Sequence, residues 1–290
     1  MTELITSLAD ISDRYDVVFC DLWGCLHNGK APFPAAVAAL QAFRAKGGKV
    51  VLMTNAPRPR MAVERQLVGM GLPRDAWDII VASGDAAQAA LLHGAVGRKV
   101  FHIGADKDLP FFEEITPENQ PLVGEPIQRV GMLEAEGVVC TGLADDSTET
   151  PEDYRTTLLL AKSRDLPMLC ANPDIVVDMG EKRVWCAGAL AEDFVAMGGA
   201  ASYYGKPHPP IYDLARQRLG LEEARILCIG DGIATDIQGA QAEGLDALFI
   251  TGGIATAHFG PDPVNPDKAL LDSWLAQQRL SPPWAMPFLA

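Results

Sequence analysis

The sequence predicts an α/β protein built on a doubly wound, mostly parallel sheet, and three observations predict it. Short apolar runs alternate with helix-period segments along nearly the whole chain. Runs such as Val17-Val18-Phe19 and Ile226-Leu227-Cys228-Ile229 are apolar at every position, as a parallel strand covered on both faces requires. The residues just after these runs are rich in acids, hydroxyls and glycines, and that edge of such a sheet is where ligands sit.

In chain order the expected strands are Asp16–Cys20, Lys49–Thr54, Asp78–Ala82, Lys99–Ile103, Gly137–Thr141, Pro167–Ala171, Lys182–Cys186, Arg225–Ile229 and Asp246–Ile250. Between them the 3.6-residue period marks helices over Pro34–Lys46, Arg60–Met70, Pro151–Ser163, Ala189–Met197, Pro209–Leu219 and Asp236–Glu243. The end, Ser281–Ala290, carries Pro282, Pro283 and Pro287 and reads as a non-helical tail packed on the body.

Composition narrows the function. With 48% hydrophobic residues the chain of 290 is too apolar to be disordered, and at that length it buries roughly 75% of its unfolded surface. A net charge of −14, with 24 Lys and Arg against 38 acids, leaves little field to attract nucleic acid. No stretch approaches the ~20 apolar residues of a membrane span, and Met1 to Tyr15 lacks a signal-peptide run, so a cytoplasmic protein is expected. The six cysteines form no C-x-x-C pair and lie mostly in strand-like runs, which reads as buried free thiols.

Four local signals bear on chemistry. Asp21 follows the strand Val17–Cys20 and opens the loop Leu22-Trp23-Gly24-Cys25-Leu26; alone it serves equally well as a turn cap. Thr54-Asn55 ends the next strand, where a hydroxyl and an amide also commonly cap helices. Lys206, in Gly205-Lys206-Pro207-His208, has the wrong charge for a helix start unless an anion lies near. Gly230-Asp231 and Asp236 sit on a glycine loop between strand and helix and offer the oxygen ligands that Mg²⁺ prefers. The competing dinucleotide fingerprint fails: Thr235 stands at the third glycine position, and an acid in the tight turn repels pyrophosphate.

Together, in the order Asp21, Thr54, Lys206, Asp231 and Asp236, these signals resemble the haloacid dehalogenase superfamily of aspartyl-nucleophile phosphohydrolases. Ala171-Asn172-Pro173-Asp174 and Gly205-Lys206-Pro207 are similar to its subclass IIA, which includes nitrophenyl phosphatases and pyridoxal phosphate phosphatases. The resemblance implies a core formed by 1–82 and 204–290 and an inserted α/β cap domain over 83–203. It implies Asp21 as nucleophile, with Thr54 and Lys206 binding phosphoryl oxygens. Mg²⁺ would be held by Asp21, the backbone carbonyl of Trp23 and Asp231, with Asp236 supporting the site. Asn55, Arg58, Asn172 and Asp174 are candidates for substrate contact, although Asn-Pro-Asp is also turn chemistry and Arg58 is equally able to pair with a cap carboxylate. The implied substrate is a small phosphorylated metabolite, and a homodimer through the caps is expected from the resemblance alone.

The sequence departs from the pattern at Trp23, where subclass phosphatases carry a second Asp as general acid and base. Indole has no usable proton at neutral pH, and losing such assistance typically costs about 10²–10⁴ in rate. Three readings follow: a phosphatase for good leaving groups, a substitute acid such as His27, or a phosphoryl-ligand binder without turnover. Dehalogenation is disfavoured, because Asp231 and Asp236 keep a metal site it does not need.

Overall fold

Val18 and Cys20 pack into one apolar cluster while Val17 and Phe19 pack into another, so the strand they form is covered on both faces. That strand fixes the layering of a computed structural model describing residues 2–180, 182–221 and 223–290. The chain begins β1 (Glu3–Leu4), β2 (Val17–Cys20), α1 (Pro34–Ala45), β3 (Lys49–Thr54), α2 (Arg60–Gly69) and β4 (Ile79–Ala82). After α3 (Ser83–Leu92) come β5 (Lys99–Ile103), α4 (Pro110–Glu113), β6 (Gln128–Arg129), β7 (Gly137–Cys140) and α5 (Arg155–Ser163). They are followed by β8 (Met168–Cys170), β9 (Val176–Met179), β10 (Lys182–Trp185), α6 (Ala187–Ala196) and β11 (Ala201–Tyr203). The last stretch is α7 (Pro209–Leu219), β12 (Ile226–Gly230), α8 (Gln238–Ala242), β13 (Asp246–Ile250), α9 (Lys268–Gln278) and β14 (Trp284–Met286).

A seven-stranded sheet runs β1-β14-β13-β12-β2-β3-β4 with every pairing parallel. The chain winds outward from β2 through β3 to β4, and on the other side outward from β12 through β13 to β14. The winding reverses between β2 and β12, so their carboxyl ends flank the topological switch point. Leu40 and Phe43 of α1 and Leu67 of α2 cover one face; Ile211 and Ala215 of α7 and Leu271 and Leu275 of α9 cover the other. Pro34 starts α1, where a missing N–H costs nothing, and Gly220 ends α7 at φ 65, a left-handed cap without a side-chain penalty.

A second sheet, β11-β8-β7-β5-β6, is also wholly parallel. Leu158 of α5 and Phe194 of α6 cover one face of it, and Leu91 of α3 with Phe111 covers the other.

The structure sharpens two expectations. The tail is a strand: Trp284–Met286 pairs parallel with β13 and β1 inside the seven-stranded sheet, because its prolines flank the strand rather than interrupt it. Lys182–Trp185 is extended as expected but belongs to an antiparallel hairpin with β9, outside both parallel sheets. All six cysteines are buried and free. No helix among the described residues is long and apolar enough to cross a membrane.

Candidate active site

β2, β3 and β12 end side by side, and each delivers one polar group to the same edge. Asp21 follows β2, its N–H held at 2.8 Å by the Ile229 carbonyl of β12. Thr54 closes β3, and Asp231 follows β12. Lys206 arrives on the segment between β11 and α7. Its Nζ donates to Asp21 Oδ1 at 2.5 Å, to Asp236 Oδ1 at 2.7 Å and to the Met53 carbonyl at 3.2 Å. All of these side chains are buried.

Asn55 holds the lysine in place. Its Oδ1 accepts the Lys206 N–H at 2.7 Å, and its Nδ2 donates to the Lys206 carbonyl at 3.0 Å and to Asp174 Oδ1 at 2.8 Å. A single amide thus ties the end of β3, the lysine segment and the Asn-Pro-Asp turn together.

Asp236 lies in a single π-helical turn, Ile233–Ile237, of the kind frequent at functional sites. Its Oδ2 accepts the Gly232 N–H at 3.1 Å while its Oδ1 takes Lys206. Both oxygens are therefore engaged by the chain's own donors, and Asp236 reaches the site through Lys206. Asp21, Asp231 and Cys25 do cluster, with one ligand atom from each lying within 4.8 Å of the others. Asp231 is approached closely by two loops, since a Cβ at Gly253 or at Gly24 (φ +75) would overlap its carboxylate. Its Oδ2 accepts the Ile254 N–H at 2.8 Å. Two carboxylates in such a cradle fit a hard divalent cation such as Mg²⁺. Burial pushes the Cys25 thiol well above its ordinary value, with Asp231 and Asp21 acting in the same direction.

Desolvation dominates the electrostatics. Burial pushes the Asp21 carboxyl well above its ordinary value, opposed by the Lys206 ammonium and reinforced by Asp236 and Asp231. Asp231 is pushed up to about 7 by burial and by the charge of Asp236, with the Ile254 N–H opposing. Burial works against the Lys206 ammonium, but Asp21 and Asp236 more than offset it and hold its pKa well above the usual lysine value. The site carries a surplus of negative charge, which a bound cation would relieve.

The cleft above this edge has a volume of about 730 Å³ and is lined from both sheets' segments and from the β9–β10 hairpin. Trp23, Asn55, Thr54 and Asp174 face it. The indole packs over Gly29, with Met179 of the hairpin beside it, and meets the His27 ring edge-on at a centroid distance of 5.1 Å.

Three expected residues lie elsewhere. Arg58 does not line the cleft; Nη2 donates to Gln66 Oε1 at 2.7 Å and Nε is 3.7 Å from buried Asp108, so the loop aims it at the α3–α4 side. Asn172 turns inward and its Oδ1 accepts the Asp174 N–H at 3.0 Å, shaping the turn rather than facing a ligand. His27 is buried behind Trp23; its Nδ1 accepts the Gly29 N–H at 3.0 Å, and burial lowers its pKa to about 4. At neutral pH it holds no acidic imidazolium to donate from. The apolar wall of β9 has no sequence signal of this kind, whereas the glycine pair after β13 marks the loop that carries Ile254.

Comparison with known proteins places the chain in a family. The family model for haloacid dehalogenase-like hydrolases matches residues 18–116, and a second, HAD-hydrolase-like, matches 203–275. A haloacid dehalogenase-like family hydrolase from Brucella suis 1330 superposes with a TM-score of 0.84 at 41% identity, covering 99% of this chain and 100% of that one. The chain belongs to the haloacid dehalogenase-like hydrolase family. The ribonucleotide monophosphatase NagD of Escherichia coli is 22% identical over 271 residues, 88% of this chain and 97% of that protein. A glycerol phosphate phosphatase from Mycobacterium tuberculosis, in complex with magnesium, superposes with a TM-score of 0.62 at 23% identity over 84% of this chain and 70% of that one.

Proposed function

We propose that this family member is a Mg²⁺-dependent phosphohydrolase that acts on a small phosphorylated metabolite through an aspartyl phosphate on Asp21, without a dedicated general acid. One observation carries the reading: a buried lysine amine bridges Asp21 and Asp236 at the switch point, with Asp231 and Thr54 on the same edge. Phosphatases among its relatives support the reaction class.

Asp21, Asp231 and the Trp23 carbonyl would hold the metal, which when bound supplies positive charge between nucleophile and phosphoryl oxygens. Asp21 then attacks phosphorus as the ester P–O bond breaks, and the leaving oxygen takes its proton from water. A second water displaces Asp21 from phosphorus and releases inorganic phosphate. Lys206 meets the charge that shifts onto the phosphoryl oxygens, and Asp236 and Asn55 fix its reach. Thr54 Oγ1 accepts the Ala56 N–H at 3.2 Å, which leaves its own proton to donate to the phosphoryl group. Residues 83–203 would act as the cap over the core of 1–82 and 204–290, a division supported by the two sheets that line one cleft.

Mg²⁺-dependent phosphate release across acetyl phosphate, p-nitrophenyl phosphate, phenyl phosphate and glycerol phosphate tests the proposal. The rate should fall steeply as the leaving group becomes more basic. Fast release from glycerol phosphate would mean another residue donates the proton. The second reading, a phosphoryl-ligand binder without turnover, is favoured by Trp23 and the inward-turned His27; it requires orthovanadate to bind while every substrate survives intact.

A further inference from the structure

We propose that a seam of core arginines and cap acids is a clasp that holds the cap against the core on the opposite side of the cleft, with Glu118 and Arg218 as its positioning residues; the inference rests on the core and cap division above. Among the described residues, every ion pair between 83–203 and the rest of the chain joins a core arginine to a cap acid. Arg58 stands 3.7 Å from Asp108, Arg60 2.7 Å from Glu118, Arg65 2.5 Å from Glu114 and Arg218 2.7 Å from Asp85. Arg218 also reaches Glu118, so one carboxylate ties α2 and α7 to the cap segment after α4. In a chain of net charge −14, four arginines facing one patch of acids with a single polarity is complementarity between two surfaces.

The centre of the seam is dry. The Arg218 and Asp85 side chains are 8% and 1% exposed. Asp85 Oδ1 also accepts the Arg60 N–H at 2.8 Å, and Arg218 Nη1 also donates to the Ile80 carbonyl of β4 at 2.8 Å. Separating such a pair strands a buried charge, so the centre resists opening, while the more exposed Arg65–Glu114 pair at the rim adds little alone.

Its place gives it leverage. The chain passes between core and cap at Ser83 and before Gly205, and these crossings are neighbours: a Cβ at Gly205 would stand 2.8 Å from Ser83 Oγ. A Cβ at Gly84 would overlap the Pro57 and Arg58 carbonyls, so α3 starts in contact with the loop after β3. The seam lies beside these crossings, at the β4 edge of the seven-stranded sheet. The β9–β10 hairpin meets the core further along that sheet, over the loops after β2 and β13. There the Gly180 N–H donates to the Asn28 carbonyl at 3.1 Å and Arg183 Nη2 to the Ile254 carbonyl at 3.4 Å. A rotation of the cap about the β4 edge moves the hairpin furthest and breaks these hydrogen bonds first.

The test is amide hydrogen exchange at Gly180, whose bond to Asn28 reports contact between cap and core away from the seam. Glu118→Gln keeps the side chain's shape but removes the charge that two arginines share. Arg65→Glu, at a position 59% exposed, keeps the fold and sets two acids face to face, so it decides the matter if Glu118→Gln fails to fold. In each folded variant Gly180 should exchange several-fold faster than in the wild type. Orthovanadate binding to the Mg²⁺-loaded protein should stay unchanged, because Asp21, Thr54 and Lys206 all belong to the core. Faster exchange confined to 83–122 with Gly180 still protected would show a merely local role and overturn the clasp, as would loss of orthovanadate binding in a folded variant. The exchange is read without substrate, so a wild type that shows it yet hydrolyses no phosphate ester would overturn the phosphohydrolase reading and leave the clasp standing.

Discussion

Replacing Trp23 by aspartate should convert the protein into a faster alkyl phosphatase. Trp23 stands two positions after the proposed nucleophile and faces the cleft, so a carboxyl there is placed to protonate a leaving oxygen. General acid–base assistance contributes about 10²–10⁴ in rate, which corresponds to about 3–5 kcal/mol of barrier. The substitution also strips an indole that packs over Gly29 and against His27. That side chain is only half-buried, so the loss is about 1–2 kcal/mol, well inside the ~5–15 kcal/mol of an ordinary domain. The assay is kcat/KM for glycerol phosphate and p-nitrophenyl phosphate with saturating Mg²⁺, in the wild type and in Trp23→Asp. Glycerol phosphate should accelerate by about 10²–10⁴, and p-nitrophenyl phosphate, whose leaving group needs no proton, by less than about tenfold. An unchanged glycerol phosphate rate in a folded variant, or equal acceleration of both substrates, would refute the reasoning about the missing acid.

Other residues give further expectations. Asn55→Ala should lower kcat by about 10² by releasing Lys206 from its tether, with a smaller change in KM, as steady-state kinetics would show. Arg58→Ala should lower the melting temperature, because it strands buried Asp108, yet leave the inorganic phosphate Kd unchanged by calorimetry; a weakened Kd would restore Arg58 to the site. Asp231, held near pKa 7 against an ordinary 3.8, keeps a proton in the folded state that the unfolded chain has released. Its contribution is thus present below about pH 4 and is lost as pH rises through about 7, worth at most about 4 kcal/mol. In EDTA, Asp231→Asn should therefore stabilise the protein at pH 8 and change little at pH 4, read from denaturant midpoints; a gain confined to low pH would contradict the assignment.

The central strands were legible because a buried parallel strand is a continuous apolar run: β2 is apolar throughout, β3 from Val50 to Met53 and β12 from Ile226 to Ile229. Their last residues then had to be searched, which brought out Asp21, Thr54 and Asp231 from sequence alone. β14 was hidden by prolines, which mark irregular chain except at strand ends. β9 was hidden because an antiparallel pair in a two-stranded hairpin has no fully apolar run; Val176-Val177 is followed by Asp178. Side-chain direction was the other blind spot. Asn172 and Asp174 share one turn, yet one points inward and the other into the cleft. Arg58 follows the strand-end loop, but only its partners Gln66 and Asp108 reveal which way it reaches. The charge of Lys206 at a helix start called for an anion nearby, but only the structure identifies Asp236, in its π-turn, as one of the two that meet it.

The most direct measurement is an acid quench of the Mg²⁺-loaded protein during turnover of p-nitrophenyl phosphate radiolabelled in the phosphoryl group. A nucleophilic Asp21 predicts label that stays on the protein, is released by hydroxylamine, maps to the peptide containing Asp21 and is absent from Asp21→Asn. Steady phosphate release with no labelled protein, or undiminished release from Asp21→Asn, would contradict the account.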